Sequence, residues 1–256
     1  MDIETLKRIV KEASALMVDS SFEVRQKDGF ANIVTSSDVA VQEFLRDRLG
    51  KALHGSGFIC EEGDVHDCAG CTDIWIIDPI DGTANYARGI AQCAISVGLR
   101  HSGSMLMGVV YLPYTGEMFW AERGKGAWLG DRRISVSDRP FGNAVMSTAL
   151  PVYYKEHADV CSAAICEAFK QINDIRRFGA AAPELCYLAM GLTELYFEYR
   201  LSPWDFAAAS LIVEEAGGCL STPAGTPLDT TMPSGVIAAN CLDSLSRLQG
   251  IVEKVV

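Results

Sequence analysis

The chain has 256 residues, 49% of them hydrophobic and 21% charged, and 22 Lys+Arg against 33 Asp+Glu leave a net charge of −11. This excludes a disordered chain, and a length that buries roughly three quarters of the unfolded surface makes neither metal nor disulfide necessary for folding. The acidic balance excludes nucleic acid and anionic membrane as partners and, taken alone, speaks against phosphorylated substrates too.

In residues 1–20, Ile3, Leu6, Ile9, Val10, Ala13, Leu16 and Met17 share one helical stripe among charged residues, which predicts an amphipathic helix rather than a signal peptide. Nowhere do about 18 apolar residues run together, so no transmembrane helix is expected. Phe30-Ala31-Asn32-Ile33-Val34 is a short apolar run, and Thr35 and Asp38 then stand at capping-box spacing before a helix over 39–49. Buried strands are expected at 57–60 and 72–77, each running directly into carboxylates. Further strands at 93–99, 106–112, 118–122 and 127–129, separated by glycine turns, suggest an antiparallel meander. Beyond Arg139-Pro140 the pattern is a strand at 145–150, helices at 156–172, 182–190, 203–216 and 242–255, and strands at 194–199 and 236–239. Mixed helices and strands of this kind indicate a layered α/β (α+β) architecture, with parts at 1–140 and 141–256 sharing one body. The nine cysteines are odd in number and scattered, as for reduced thiols in a cytoplasmic protein. His66, Cys68 and Cys71 have a zinc-like or redox-like spacing without a second ligand pair, and the plainer reading is a surface loop between strands.

Three segments place carboxylates where core would otherwise stand: Glu61-Glu62, Asp78-Pro79-Ile80-Asp81-Gly82-Thr83, and Asp205 in Pro203-Trp204-Asp205-Phe206. Together they have the character of oxygen ligands for a hard divalent cation such as Mg²⁺. A strand ending at Asp78, with Pro79 stiffening the turn, would return Asp81 to the same place. Gly82 would allow close backbone approach, and a helix beginning at Thr83 would offer N–H groups to a phosphate. Each piece also has a structural reading. Asp38 and Asp81 are good helix caps, Glu61 and Glu62 suit a solvated surface, and Ser202-Pro203-Trp204-Asp205 is ordinary helix-start grammar.

What favours the functional reading is a resemblance. Trp75-Ile76-Ile77-Asp78-Pro79-Ile80-Asp81-Gly82-Thr83-Ala84-Asn85-Tyr86 resembles the first signature of the inositol monophosphatase family. Ser202-Pro203-Trp204-Asp205-Phe206-Ala207-Ala208-Ala209-Ser210, followed by Glu214-Glu215-Ala216-Gly217-Gly218, resembles the second. Val34 to Asp38, Glu61-Glu62, Gly124 to Trp128 and Gly179 to Met190 also fall in family order. The resemblance implies a layered αβαβα sandwich and Mg²⁺-dependent, Li⁺-sensitive hydrolysis of a phosphate monoester.

The resemblance further implies a set of roles. Glu61, Asp78 and the Ile80 carbonyl would hold one Mg²⁺; Asp78, Asp81 and Asp205 would hold a second, and a third, weaker ion would sit near Glu61. Water would be activated between Glu61 and the Thr83 hydroxyl, itself polarised by Asp38, with Glu62 as a supporting acid and Lys27 on a loop near the metals. Gly82 and Thr83 would meet the phosphate. Gly179, Ala181 and Glu198 would meet the alcohol, although Glu198 could equally face solvent at a strand edge. Asn32, Ala180 and Pro183-Glu184 depart from the family pattern on the substrate side. The substrate implied is a small phosphorylated polyol, inositol 1-phosphate first. Fructose 1,6-bisphosphate, a 3′-phosphoadenosine nucleotide or histidinol phosphate are alternatives within the class, and a non-catalytic scaffold is the alternative outside it. A homodimer is expected by family analogy alone.

Overall fold

The computed structural model describes residues 1–18, 22–27, 32–63 and 65–255, so Phe30 and Ala31 of the apolar run lie outside the described residues. The N-terminal stripe forms α1 (Ile3–Ala13) and α2 (Ala15–Val18), followed by a hairpin of β1 (Val24–Gln26) and β2 (Ile33–Thr35), then α3 (Ser36–Ala52). β3 (Gly57–Cys60), β4 (Val65–Asp67), β5 (Asp73–Asp81), the single turn α4 (Thr83–Tyr86), β6 (Ala94–His101), β7 (Ser104–Leu112), β8 (Glu117–Glu122), β9 (Ala127–Leu129) and β10 (Arg132–Ile134) follow. Then come β11 (Val145–Thr148), α5 (Ala158–Phe169), β12 (Asp174–Arg176), α6 (Ala181–Ala189), β13 (Leu195–Leu201), α7 (Pro203–Glu215), β14 (Cys219–Ser221), β15 (Ser234–Ala239) and α8 (Leu242–Val252).

The expected meander is present: β5 to β10 pair antiparallel in chain order, while β3 pairs parallel with β5 and carries β4 at the edge. A five-stranded sheet has the order β12-β11-β13-β15-β14, with β11 parallel to both neighbours. β1, β4, β10, β12 and β14 are additions to the expected elements; each has only three residues, too few for an alternation to register. Cys68 and Cys71 lie in the turn between β4 and β5, in the surface loop that the plainer reading expects.

Period-two alternation builds the layers. On the large sheet, Phe58, Cys60, Trp75 and Ile77 turn to Leu6, Val10, Leu45 and Leu49 of α1 and α3, while Ile59, Ile74 and Ile76 turn to α6 and α7. On the small sheet, Tyr196 and Ala238 face α6 and α7, and Leu195, Phe197, Ile237 and Ala239 face α5 and α8. The result is the αβαβα sandwich, and both faces of α7 are buried because sheets lie on either side of it. That explains why residues 206–213 are apolar or small around the whole helix.

Candidate active site

β5 does not end at Asp78, as the sequence leads one to expect, but continues to Asp81. Opposite β6, Asp78 pairs with Ser96 and Asp81 with Ala94, so three steps on one strand match two on the other. The cause is Pro79, which has no N–H to give to the ladder and forces a bulge. In a regular strand, residues three apart point to opposite faces; the extra residue reverses that parity and brings the two carboxylates to one side. Gly82 follows with φ 86°, and a Cβ there would lie 2.9 Å from the Gln92 carbonyl and 3.0 Å from the Ala180 Cβ. The chain then turns into α4 with Thr83 at its start.

Asp38 closes the expected capping box of α3, accepting from the N–H and hydroxyl of Thr35. Its other oxygen is 3.1 Å from the Thr83 hydroxyl, which is also 3.0 Å from the Ile80 carbonyl. Burial raises the Asp38 carboxyl above the usual range, opposed by the Thr35 and Thr83 hydrogen bonds. Asp38 thus caps α3 through one oxygen and meets the Thr83 hydroxyl with the other.

Glu61 and Glu62 leave the end of β3, which is parallel to β5, at the carboxyl ends of both strands. Glu62 is not solvated: it is 7% exposed, and its backbone is gripped by Gln42 of α3, which donates to the Glu62 carbonyl at 2.7 Å and accepts its N–H at 2.8 Å. Burial first, then Glu61 and Asp38 against Lys27, push Glu62 to about 7. Lys27 Nζ bridges Glu61 at 3.2 Å and Glu62 at 2.7 Å. Burial alone would lower this ammonium, but the two glutamates hold it above its ordinary value.

Asp205 stands in the first turn of α7, accepting the Ser202 N–H at 2.7 Å. Its carboxyl is pushed well up, by burial and then by Asp81 and Glu61, and Asp78 is pushed well up by burial, Glu61, Asp81 and Asp205. Burial raises Asp81 to about 6 against the N–H groups of Ala182, Ala181 and Gly82. Elements distant in sequence thus gather Glu61, Asp78, Asp81 and Asp205 into one field of mutually repelling acids. Among the described residues no three Asp, Glu, His or Cys side chains form a ready-made cage for an ion. The donor set still fits Mg²⁺, which keeps several waters and takes one or two carboxylates plus substrate oxygens in place of an all-protein cage.

In the turn that the resemblance assigns to the alcohol, the Gly179 N–H donates to Glu184 at 2.8 Å, and the N–H groups of Ala181 and Ala182 donate to Asp81 at 3.3 and 2.6 Å. The backbone of this turn is therefore engaged within the protein. Glu198 is on β13, the central strand of its sheet and not an edge; it accepts from the Tyr196 hydroxyl at 2.8 Å. Burial, then Glu184, pushes its carboxyl to about 8. Two residues escaped the sequence reading. Glu184 was noted only as a departure from pattern. Tyr153, in the loop after β11, is 59% exposed, and partial burial followed by the charges of Glu61, Asp205, Asp78 and Asp81 pushes its phenol up. Nothing in the local sequence of Leu150 to Tyr154 signals that position.

The sequence model of the inositol monophosphatase family matches residues 3–255. The inositol-1-monophosphatase of Caulobacter vibrioides is 33% identical over 217 residues, 84% of this chain and 85% of its own. The putative Nus factor SuhB of Neisseria meningitidis serogroup B is 38% identical over 213 residues, 82% of this chain and 81% of its own. Among solved structures, the extragenic suppressor protein suhB from Bartonella henselae is similar with a TM-score of 0.90 at 30% identity, over 99% of both chains. The Thermotoga maritima IMPase is similar with a TM-score of 0.87 at 28% identity, over 99% of this chain and 97% of that one.

Proposed function

Because the chain belongs to the inositol monophosphatase family, we propose that it hydrolyses a small phosphorylated polyol, inositol 1-phosphate first, in a Mg²⁺-dependent reaction with water as nucleophile. The observation that carries this reading is the proline-driven bulge, which turns Asp78 and Asp81 to one side, toward Glu61 and Asp205. Glu61, Asp78 and the Ile80 carbonyl would hold one ion, and Asp78, Asp81 and Asp205 another. Bound there, Mg²⁺ supplies charge neutralisation for the phosphate and acidifies water near neutral pH.

The chain's own groups do the orienting. The Thr83 hydroxyl has one proton and two acceptors within reach, Asp38 and the Ile80 carbonyl. Once the carbonyl is engaged elsewhere, the proton goes to Asp38, leaving the Thr83 oxygen to accept from water and align it. Glu61 would accept the second water proton, and the Lys27 ammonium, bridging Glu61 and Glu62, holds both carboxylates in place. Gly82 lets the backbone pass close to the phosphate, beside the Thr83 N–H. Glu198, with Gly179 and Ala181 framing it, accepts polyol hydroxyls.

Lithium sensitivity, a cytoplasmic setting and a homodimer belong to the same reading, on likeness to the family. Among the described residues no helix is long and apolar enough to cross a membrane. Relatives are named both as the enzyme and as Nus factor SuhB; the net charge of −11 favours the enzyme reading over direct contact with a polyanion. Rates on inositol 1-phosphate, fructose 1,6-bisphosphate and 3′-phosphoadenosine 5′-phosphate in Mg²⁺, with and without Li⁺, test the proposal. Inositol 1-phosphate should be turned over fastest, and no hydrolysis of any of the three would overturn it.

A further inference from the structure

Asn85 stands in the single turn α4, two residues beyond Thr83. That turn holds itself without the Asn85 side chain. The N–H groups of Asn85 and Tyr86 donate to the Gly82 carbonyl at 2.8 and 2.9 Å, and that of Ala87 donates to the Thr83 carbonyl at 2.9 Å. The buried Tyr86 adds an anchor, its hydroxyl donating to the Met17 carbonyl at 2.8 Å. The Asn85 amide therefore serves other segments. Its Nδ2 donates to the Gln92 carbonyl at 2.7 Å and to the Phe178 carbonyl at 2.8 Å. Two protons and two close acceptors leave this nitrogen no donor to spare, and the reversed amide would set an oxygen against both carbonyls, so its surroundings fix which way it faces.

Both contacts belong to a closed circuit. The Gln92 Oε1 accepts the Tyr187 hydroxyl at 2.7 Å, and the Tyr187 ring meets that of Phe178 edge-on, with centroids 5.2 Å apart. Asn85 thus reaches Phe178 directly and again through Gln92 and Tyr187 of α6. The Phe178–Gly179 peptide is held at both ends, because its carbonyl accepts from Asn85 while its N–H donates to Glu184 at 2.8 Å. Gly179 has φ 86°, and a Cβ there would lie 3.2 Å from the Asn85 Nδ2. A peptide beside a glycine turns over readily, since no Cβ opposes the rotation. The two grips decide which way its carbonyl points.

We propose that Asn85 is the positioning residue that ties the phosphate side of the site to the alcohol side. From a turn that begins at Thr83 it locks the Phe178–Gly179 peptide, and so it sets how far the alcohol-facing turn stands from the phosphate. This rests on the phosphatase reading, which puts Gly82 and Thr83 at the phosphate and Gly179 at the alcohol. The amide donates to backbone carbonyls and to none of the four acids, so its loss should leave metal binding intact.

The experiment measures KM and kcat in Mg²⁺ for inositol 1-phosphate and for 4-nitrophenyl phosphate, whose alcohol has no further hydroxyl for the turn to place. Asn85→Ala removes both donors. Asn85→Asp removes them too and keeps the volume, so it serves if the alanine variant does not fold. In either variant KM for inositol 1-phosphate should rise about tenfold with kcat within about twofold, while kcat/KM for the aryl ester changes by no more than about twofold. Calorimetric titration of Asn85→Ala should give a Mg²⁺ dissociation constant within about twofold of that of the unaltered protein. A residue that only supported the fold would affect both esters alike. Equal losses on the two esters, weaker Mg²⁺ binding in the alanine variant, an unchanged KM for inositol 1-phosphate, or failure of both variants to fold overturns the proposal. If the unaltered protein cleaves neither ester, or only the aryl one, the reading beneath the proposal falls instead, so the two failures are distinguishable.

Discussion

At the scale of single residues, the site is a set of charges held apart from the water that would stabilise them. Asp78 is 2% exposed and faces Glu61, Asp81 and Asp205, so its ionised form is disfavoured from every side until a cation arrives. Asp78→Asn removes one of four repelling acids and keeps the shape. Its melting temperature in a chelator should therefore rise, by about 2–4 °C for each kcal/mol relieved, while Mg²⁺-dependent phosphate release falls by about a thousandfold or more. Thermal melts in chelator beside rates in Mg²⁺ check both halves. A lower melting temperature, or retained activity, would contradict the assignment. Asp205→Asn should behave alike in activity, but the amide must also replace the oxygen that accepts the Ser202 N–H.

At the scale of elements, the site depends on how closely its pieces approach. Asp205 is carried by α7, which lies on β7 so tightly that a Cβ on Gly108 would stand 2.5 Å from the Ala208 carbonyl oxygen. The atom met is helix backbone and has no rotamer to give way, so Gly108→Ala has to lift the helix off the sheet. A loss of about 1–3 kcal/mol in unfolding free energy is expected, with weaker Mg²⁺ binding because Asp205 moves with α7. Denaturant unfolding and Mg²⁺ titration by calorimetry measure the two effects, and stability lost without any change in binding would show that α7 does not transmit the shift. At Gly82 the difficulty is conformational as well as steric. The left-handed backbone costs an alanine about 1–2 kcal/mol, and its methyl meets Gln92 and Ala180. Gly82→Ala should destabilise the protein and displace Thr83, lowering kcat more than it raises KM.

At the scale of the whole molecule, buried acids make stability depend on pH in the direction opposite to that of surface ion pairs. Glu62 and Glu184 at about 7 and Glu198 at about 8 all stand above the 4.5 of an ordinary glutamate, as Asp81 at about 6 stands above 3.8. The folded state thus binds more protons than the unfolded chain. Their contribution is present below about pH 4 and is lost as pH rises through roughly 6 to 8. The metal-free protein should melt at lower temperature at pH 8.5 than at pH 5.5. Added Mg²⁺ should raise the melting temperature more at the higher pH, where it no longer competes with protons. Melting curves at the two pH values, in chelator and in Mg²⁺, would refute this if the metal increment were larger in acid. On the proposed reading, the same competition reconciles a net charge of −11 with an anionic substrate: the acids that contribute to that charge are the ones a bound cation would neutralise.

Amino-acid order was enough for whatever is decided within a few residues. The alternation of Ile74 and Ile76 against Trp75 and Ile77 sets two faces of β5, the Thr35–Asp38 box starts α3, and the motifs around Asp78 and Asp205 carry the family resemblance. What it left undecided is whatever depends on a partner far along the chain. That Asp78 and Asp81 share a side is set by pairing with Ser96 and Ala94 on β6, because strand parity is counted against a neighbour and the local sequence does not contain that neighbour. Glu184 reads as an odd residue in a turn until its carboxylate is seen to hold the Phe178 and Gly179 N–H groups, and Tyr153 reads as a loop residue until the charges of Glu61, Asp205, Asp78 and Asp81 are found to act on its phenol. Local periodicity follows from backbone geometry, which every residue carries with it; the convergence of charges follows from folding, which brings together groups that the chain itself keeps far apart.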